Sequence, residues 1–283
     1  MKTPDEMVLL NQKQAKFYDA IQSAETGKGH GGYADNQKAN ALTRFWAGLR
    51  YRQQAAVRGA GIEAEMKAAL ARWMEARRAG RFLELGCFSG SPATFALAEA
   101  SGSYFGIELS PLAVADLNRK FAAEGLAAKA HAEARDFLLM DETSRFDLIY
   151  AHGVLHHFEN PAPLFDKLAA LLNPGGSLLF VEPSAVNPLY RSIRMLYRPF
   201  QSDAAWEWPF QPRTVAALEK HFEVAEGFGW RRRSLPLSIF TGMPFIGSWV
   251  TRHYVRLARA EMAQGWHDKV WHNSMVTACF TRR

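Results

Sequence analysis

Three carboxylates fall where a ligand could use them. Glu84 lies in Phe82-Leu-Glu-Leu-Gly-Cys-Phe-Ser-Gly90, an apolar run that ends in an acid and then turns through Gly86 and Gly90. Glu108 closes the next apolar run, and Asp136 follows a third. A strand that turns through glycines into a helix brings its last residues beside a helix N-terminus, where backbone can approach a ligand closely. The spacing Gly86-x-x-x-Gly90 differs from the G-x-G-x-x-G that holds a dinucleotide pyrophosphate. An acid at Glu84 suits a cationic ligand better. Glu108, at the end of a second strand in a doubly wound sheet, is placed to accept both hydroxyls of a ribose, and Asp136 could accept from an adenine amine. Taken singly, each acid reads equally well as a solvated loop carboxylate; three at consecutive strand ends are harder to assign to chance.

A second group of candidates is His152-Gly-Val-Leu-His-His-Phe158, which follows a fourth apolar run. A neutral imidazole near pH 7 could take a proton from an attacking hydroxyl or amine, so His156 reads as a base, a substrate-orienting residue or a structural one. His157 reads as a residue that looks inward and holds its loop, or as a substrate contact. His152, at the strand end, is more positional than catalytic. Glu182, followed by Pro183 after a fifth run, could bind a substrate amine or hydroxyl, or pair with a nearby arginine.

These residues are positioned by alternating strands and helices. Residues 81–85, 104–108, 146–151 and 177–181 read as buried strands separated by helix-length amphipathic stretches, with a weaker strand at about 128–134. Such alternation means crossovers and a parallel sheet. Asn173-Pro-Gly-Gly176 ends a helix that begins near Pro163 and turns the chain into the next strand. Residues 1–79 read as a helical extension, broken by Gly27, Gly29, Gly31 and Gly32. Residues 187–209 carry three prolines among aromatics and read as a packed irregular segment or lid. Beyond them come a helix at 212–221, a strand at 222–228, an insert at 235–271 with a basic helix at 251–264, and a closing strand at 274–281.

Taken together, these motifs resemble the class I S-adenosylmethionine-dependent methyltransferases, small-molecule type. The resemblance covers about residues 81–182. It rests on Leu83-Glu-Leu-Gly-Cys-Phe-Ser-Gly90, Gly106-Ile-Glu-Leu-Ser110, Arg135-Asp136, Phe146-Asp-Leu-Ile-Tyr-Ala151 with the histidine segment after it, and Leu171-Leu-Asn-Pro-Gly-Gly176 ahead of Leu179-Phe-Val-Glu-Pro183. It implies an α/β, Rossmann-like seven-stranded sheet in the order 3-2-1-4-5-7-6, strand 7 antiparallel, with helices on both faces. The N-terminal extension of residues 1–79 would cap a methyltransferase domain of residues 80–283, with 184–212 and 235–271 as lid or insert segments. It further implies S-adenosylmethionine as cofactor, its methionine part at Glu84, Gly86, Cys87, Phe88, Gly90 and His152, its ribose at Glu108 and Leu109, its adenine at Arg135 and Asp136. Phe88 departs from the pattern, since the family usually has glycine there. Phe17-Tyr-Asp19 is similar to a short motif ahead of the core in many small-molecule members, where the tyrosine, here Tyr18, closes over the cofactor; a tyrosine packed on the core fits as well. His156 matches the position that faces the transferred methyl.

Tyr190, Tyr197, Phe200, Trp206, Trp208 and Phe210 follow the fifth strand, where they suggest an apolar or aromatic acceptor or a lid packed on the sheet. Tyr190, Trp206 and Trp208 are the candidate substrate contacts among them, with His157 and Glu182. The expected reaction is methyl transfer to oxygen or nitrogen of a small, fairly hydrophobic molecule by direct displacement. The alternatives are a lipid or quinone methyltransferase at a membrane surface and a non-catalytic, cofactor-binding scaffold subunit.

With 283 residues, 48% hydrophobic and 22% charged, the chain has an ordinary globular composition, which excludes collagen-like, disulfide-scaffold and mostly disordered classes. No apolar stretch reaches the ~20 residues that span a bilayer and no secretory signal is evident, so a cytoplasmic address is expected. The net charge of +6 sits entirely in the last third: residues 191–283 hold 14 Lys+Arg against 7 Asp+Glu, and the rest 20 against 21. Arg231-Arg-Arg233 beside an apolar run, with Arg252, Arg256 and Arg259, reads as a solvated face, a membrane-surface contact or a phosphate-binding patch. Nucleic acid is disfavoured, because no Asn/Asp-Pro-Pro-Tyr/Phe signature follows the fourth strand. Peripheral membrane contact and a homodimer stay open. No histidine, cysteine and carboxylate set stands at metal-ligand spacing.

Overall fold

A polar residue followed by proline opens most of the helices that leave the sheet. The computed structural model describes residues 4–25, 55, 61–140, 145–198, 204–241, 243 and 245–283. Helices α1 (Pro4–Glu25) and α2 (Ile62–Glu75) precede the sheet. There follow β1 (Arg81–Leu85), α3 (Pro92–Ala100), β2 (Ser103–Glu108), α4 (Pro111–Ala123), β3 (Ala130–Ala134), β4 (Phe146–His152), α5 (Pro161–Leu171) and β5 (Leu172–Pro183). The chain continues through α6 (Pro188–Tyr197), α7 (Pro212–Glu219), β6 (Phe222–Trp230), α8 (Leu235–Phe240) and α9 (Gly247–Met262) to β7 (Met275–Arg282). Ser91, Ser110, Asn160 and Asn187 each accept a hydrogen bond from the first turn of the helix they cap, and the proline after each supplies a helical φ and no superfluous N–H.

The seven strands form one sheet in the order 3-2-1-4-5-7-6. β1 to β5 pair in parallel, and β7 runs antiparallel to both β5 and β6, as the resemblance implied. Side chains alternate across it. Leu83, Phe105, Ile149, Leu178 and Phe280 pack under α5 and α7 on one face, while Phe82, Tyr104, Leu148, Leu179 and Cys279 pack under α2, α3 and α4 on the other. In a parallel sheet covered on both faces the strands must be apolar on both sides. That leaves the ends of β1 to β5 as the place for polar groups, and the helix N-termini gather at that edge.

Some expected boundaries move. The lid segment is more regular than read, because Pro188 starts α6 at a position proline favours. α5 begins at Pro161, β5 and β6 run longer than expected, and the basic helix starts at Gly247. The glycine-rich break at residues 27–32, together with Phe200 and the ring of Tyr197, lies outside the described residues. α9 packs through Tyr254 and Ala258 on Ile62 of α2 and Trp230 of β6, a third small core. Among the described residues no helix is long and apolar enough to cross a membrane.

Candidate active site

At the end of β1 the chain reverses through Gly86 (φ 69°) and Gly90 (φ 87°), conformations that exclude most side chains. A Cβ on Gly86 would also lie 2.9 Å from Val154, so the turn after β1 passes directly beneath the loop after β4. Glu84 is buried there. It accepts hydrogen bonds from Tyr104 OH at 2.8 Å and Thr94 Oγ1 at 3.1 Å, which fastens the start of α3 to β1 and β2. Burial pushes its pKa up to about 7, against the pull of those two donors. Cys87 is buried and unpaired by disulfide, as is Cys279.

Glu108 ends β2 and holds the neighbouring loop. Its Oε1 accepts from the backbone N–H of Leu109 (2.6 Å) and Ser110 (3.2 Å), and its Oε2 from that of Phe88 (3.1 Å). Burial raises its pKa although these three donors favour the anion. Phe88 takes φ 44°, the left-handed region, so the chain keeps the path a glycine would take while presenting a ring. Beyond β3, Asp136 accepts Leu138 N–H on Oδ1 (2.9 Å). Arg135 is not brought into the cluster: its exposed side chain pairs with Glu133.

α1 lies across this edge. Asn11 Nδ2 donates to Asp136 Oδ2 at 2.6 Å, the Tyr18 ring meets Phe88 edge to face at 6.2 Å, and the Tyr18 hydroxyl is 3.4 Å from His157 Nε2. Asp19 accepts from Ser110 Oγ at the start of α4, and Gln22 donates to Asp116 (3.0 Å). Asn11, Gln14, Tyr18 and Gln22 share one face of the helix. Gln14 is buried, and its amide nitrogen has no hydrogen-bond partner. An orphaned buried donor costs about 1–3 kcal/mol, so this one marks a position that a ligand acceptor would satisfy. Together with a strand-end carboxylate and a backbone-lined glycine turn, it fits S-adenosylmethionine.

The second half of the site is a buried chain of charges. His156, in a single 3₁₀ turn after β4, sets Nδ1 2.7 Å from Glu182 Oε2. Glu182, wholly buried at the end of β5, uses Oε1 to accept the N–H groups of Val154 (2.9 Å) and Leu155 (2.7 Å). The other ring nitrogen, Nε2, faces Glu207 Oε1 at 3.9 Å, and Glu207 in turn binds Arg194 of α6 at 2.6 Å. Burial alone would lower the His156 pKa, but the Glu182 and Glu207 carboxylates outweigh it and hold the ring up to about 9. The neutral imidazole expected at pH 7 is therefore corrected: between two carboxylates the ring keeps its proton. His157 goes the other way, pushed down to about 4 by burial and by the charge of His156. Its Nδ1 binds the Trp206 carbonyl at 2.7 Å, so the neutral ring ties the 204–206 turn to the 3₁₀ turn.

Several expected contacts take another form. Among the described residues Glu182 is paired with no arginine; its oxygens accept from His156 and the loop backbone. His152 stands exposed at the end of β4, 3.3 Å from Tyr150 OH. Trp206 is buried against Phe17 at 5.4 Å, with its indole N–H unpartnered. Trp208 donates its backbone N–H to the His156 carbonyl (2.7 Å). Tyr190 lies beneath the Arg194 guanidinium. Sequence reasoning missed Asn11, Gln14, Glu207 and Arg194. The i, i+3, i+7 polar stripe on α1 could have revealed the first two; nothing local marks the pair Arg194 and Glu207. Among the described residues no group of three or more His, Cys, Asp or Glu could hold a metal ion.

An open, mostly parallel sheet with acids at successive strand ends is an arrangement in which α/β folds bind nucleosides. Residues 83–178 match the family described as "Methyltransferase domain", so this part of the chain carries a methyltransferase domain. Over 126 residues, 41% of this chain, it is 29% identical to the tRNA U34 carboxymethyltransferase of Hahella chejuensis (strain KCTC 2396). Over 98 residues, 35% of this chain, it is 31% identical to the ubiquinone biosynthesis O-methyltransferase of Xylella fastidiosa (strain 9a5c). The matches span only 38% and 39% of those curated relatives. The N-methyltransferase NodS of Bradyrhizobium japonicum WM9, solved with S-adenosyl-L-homocysteine, has a similar fold: TM-score 0.50, 18% identity, covering 78% of this chain and 87% of that one.

Proposed function

We propose that this protein transfers a methyl group to oxygen or nitrogen of a small, fairly hydrophobic molecule. The observation that carries the reading is the His156 and Glu182 pair, 2.7 Å apart, beside the cofactor turn and under the aromatic side chains of α1 and the 204–206 segment. The resemblance to the quinone O-methyltransferase supports an acceptor of this class. Residues 1–79 act as the cap, residues 80–283 as the methyltransferase domain, and 184–212 and 235–271 as its lid and insert.

When bound, S-adenosylmethionine supplies an electrophilic methyl carbon on a sulfonium, whose departure leaves a neutral thioether. Glu108 would hold the ribose hydroxyls with its remaining lone pairs. The glycine turn with Glu84 would face the methionine end, and Asp136 the adenine amine once Asn11 yields its acceptor. Gln14 would donate to the ligand from α1. Tyr18 and Phe88 close the turn against water, and exclusion of water with alignment supplies most of what a displacement needs. Glu182 fixes the His156 ring with its Nδ1–H inward, which leaves Nε2 on the side of Glu207, a carboxylate that an acceptor would displace to reach the ring. As an imidazolium it holds and orients an acceptor oxygen or a carboxylate; once deprotonated it takes the acceptor's proton.

The test is calorimetric titration with S-adenosylmethionine and S-adenosylhomocysteine, followed by labelled-methyl transfer to hydrophobic phenols, amines and carboxylates across pH 6 to 10. Micromolar binding of both ligands and transfer to one acceptor class would sustain the proposal. Binding without transfer to any panel member would favour the scaffold alternative, and absence of binding would sink the enzyme reading. A rate that climbs with pH and levels off above about 9 assigns His156 the base role; a flat profile that Gln at position 156 preserves assigns it orientation.

A further inference from the structure

Among the described residues the large exposed apolar side chains are not evenly spread. Phe240, Met243, Phe245, Ile246 and Trp249 lie within ten residues where α8 gives way to α9, and the Phe245 ring is wholly exposed. Isolated exposed apolar residues are ordinary, whereas a contiguous group marks an interaction surface. α9 explains how the group is presented. Val250, Tyr254 and Ala258 face inward, the last two onto α2 and β6. The opposite side therefore carries Trp249, Arg252 and Arg256 in helical succession, with exposed Phe245 just ahead of the helix, and both arginines are exposed.

Charge distinguishes among the occupants such a surface could have. From residue 227 to 260 there is no Asp or Glu, while six arginines occur. Some of these are engaged: Arg259 binds Glu65 at 2.5 Å, and Arg231 stacks on Trp230 and reaches Tyr254. Buried Glu261 accepts the backbone N–H groups of residues 232–234, which anchors the start of this segment to α9. Arg252 and Arg256 have no ion-pair partner among the described residues. A second copy of the chain would bring arginine against arginine. Nucleobases could stack on Phe245 and Trp249, but the aliphatic Met243 and Ile246 beside those rings suit hydrocarbon better than bases. An apolar end followed one and two turns later by cations matches the depth profile of a lipid interface, hydrocarbon first and phosphate above it.

We infer that Phe240, Met243 and residues 245–256 form a docking surface for an anionic lipid bilayer, with Phe245 and Trp249 entering the acyl boundary and Arg252 and Arg256 lying against the phosphates. This surface works without methyl transfer and would deliver to the site acceptors that dissolve in membranes rather than in water.

Cosedimentation of the full chain with phosphatidylglycerol-rich and with pure phosphatidylcholine vesicles tests it. Binding to the anionic vesicles is expected, and it should weaken as salt rises from about 0.05 M to about 0.5 M. The pair Arg252→Gln and Arg256→Gln should bind the anionic vesicles about thirtyfold less tightly, at roughly fivefold per arginine. Phe245→Ser with Trp249→Ser should abolish binding at low salt while thermal unfolding stays unchanged, since these side chains make no core. No binding to any vesicle, or equal binding by wild type and both double variants, overturns the proposal. So does concentration-dependent self-association that Phe245→Ser with Trp249→Ser removes, which would assign the surface to a second copy.

Discussion

The two halves of the site share one sheet edge but are assembled differently. In the cofactor half the acids each belong to their own strand end, and two of them take part of their hydrogen bonding from neighbours in sequence: Glu108 from the N–H groups of Leu109 and Ser110, and Asp136 from that of Leu138, beside longer links to Phe88 and Asn11. In the acceptor half every link joins distant segments: His156 to Glu182 across 26 residues, and His157 to the 204–206 turn across 49. Local construction tolerates change in the rest of the chain, whereas the acceptor half exists only when β4, β5 and the lid have all docked. It follows that the acceptor half carries the larger energetic consequences when one member is lost.

The largest effect is expected there. Replacing Glu182 by Ala leaves a buried imidazolium and two backbone N–H groups without their acceptor, and breaking a buried pair in this way costs about 3–5 kcal/mol. Chemical denaturation would measure it; a loss below about 1 kcal/mol would mean that the charge chain contributes little. Glu182→Gln keeps the shape and tests the charge through pH. The folded-state pKa of His156 lies above its unfolded value, so the stability it contributes is fully present below about 6.5 and is lost as pH rises through about 9. That window amounts to about 3 kcal/mol at 1.36 kcal/mol per unit. Glu182→Gln should flatten it, and an unchanged slope between pH 6.5 and 9 would refute the placement of the proton on His156.

Glu108→Ala should have a smaller effect on folding and a large one on binding. It removes the proposed ribose acceptor and frees the N–H groups of Phe88, Leu109 and Ser110, which can turn to solvent as a loop. A charged hydrogen-bond acceptor is worth about 1.5–3 kcal/mol, so affinity for S-adenosylhomocysteine should fall about a hundredfold by calorimetry. Asn11→Ala acts in the opposite sense on the same half. Freeing Asp136 from the 2.6 Å amide contact should leave adenosine-end binding equal or slightly tighter, by a factor of about two at the ~0.5 kcal/mol low end for a net hydrogen bond. A large loss would show instead that Asn11 holds the ligand.

The same contrast explains what could be read in advance. Strand ends with acids and the Gly86 to Gly90 turn are short-range patterns, and they placed the strands and the carboxylates, while the sheet order came with the family resemblance that those motifs carry. Glu182 was visible as a strand-end acid, yet its partner was not, because pairing depends on how β4 and β5 sit side by side. Arg194 and Glu207 carry no pattern at all; only the docking of α6 and its following turn puts them together. Nor could composition reveal the state of His156. A histidine near pH 7 is neutral or charged according to the carboxylates around it, and those arrive from two other segments.

Phe88 offers the finest distinction between local and assembled construction, since it stands in the cofactor turn but touches α1. Two forces act on it. Its φ of 44° is costly for any residue with a Cβ, by about 1–2 kcal/mol, and free for glycine; its ring meets Tyr18 edge to face, a contact worth about 0.5–1.5 kcal/mol. Phe88→Gly and Phe88→Ala both lose the ring, so the difference between them isolates the backbone. Glycine should be the more stable of the two by about 0.5–1 kcal/mol, after its greater unfolded-state entropy is set against the relief of strain. If thermal unfolding ranks alanine above glycine, the turn does not hold its left-handed path and the ring of Phe88 shapes the loop. If glycine ranks higher and both variants bind S-adenosylhomocysteine equally, the turn alone serves the cofactor and the aromatic side chain serves only the closure of α1.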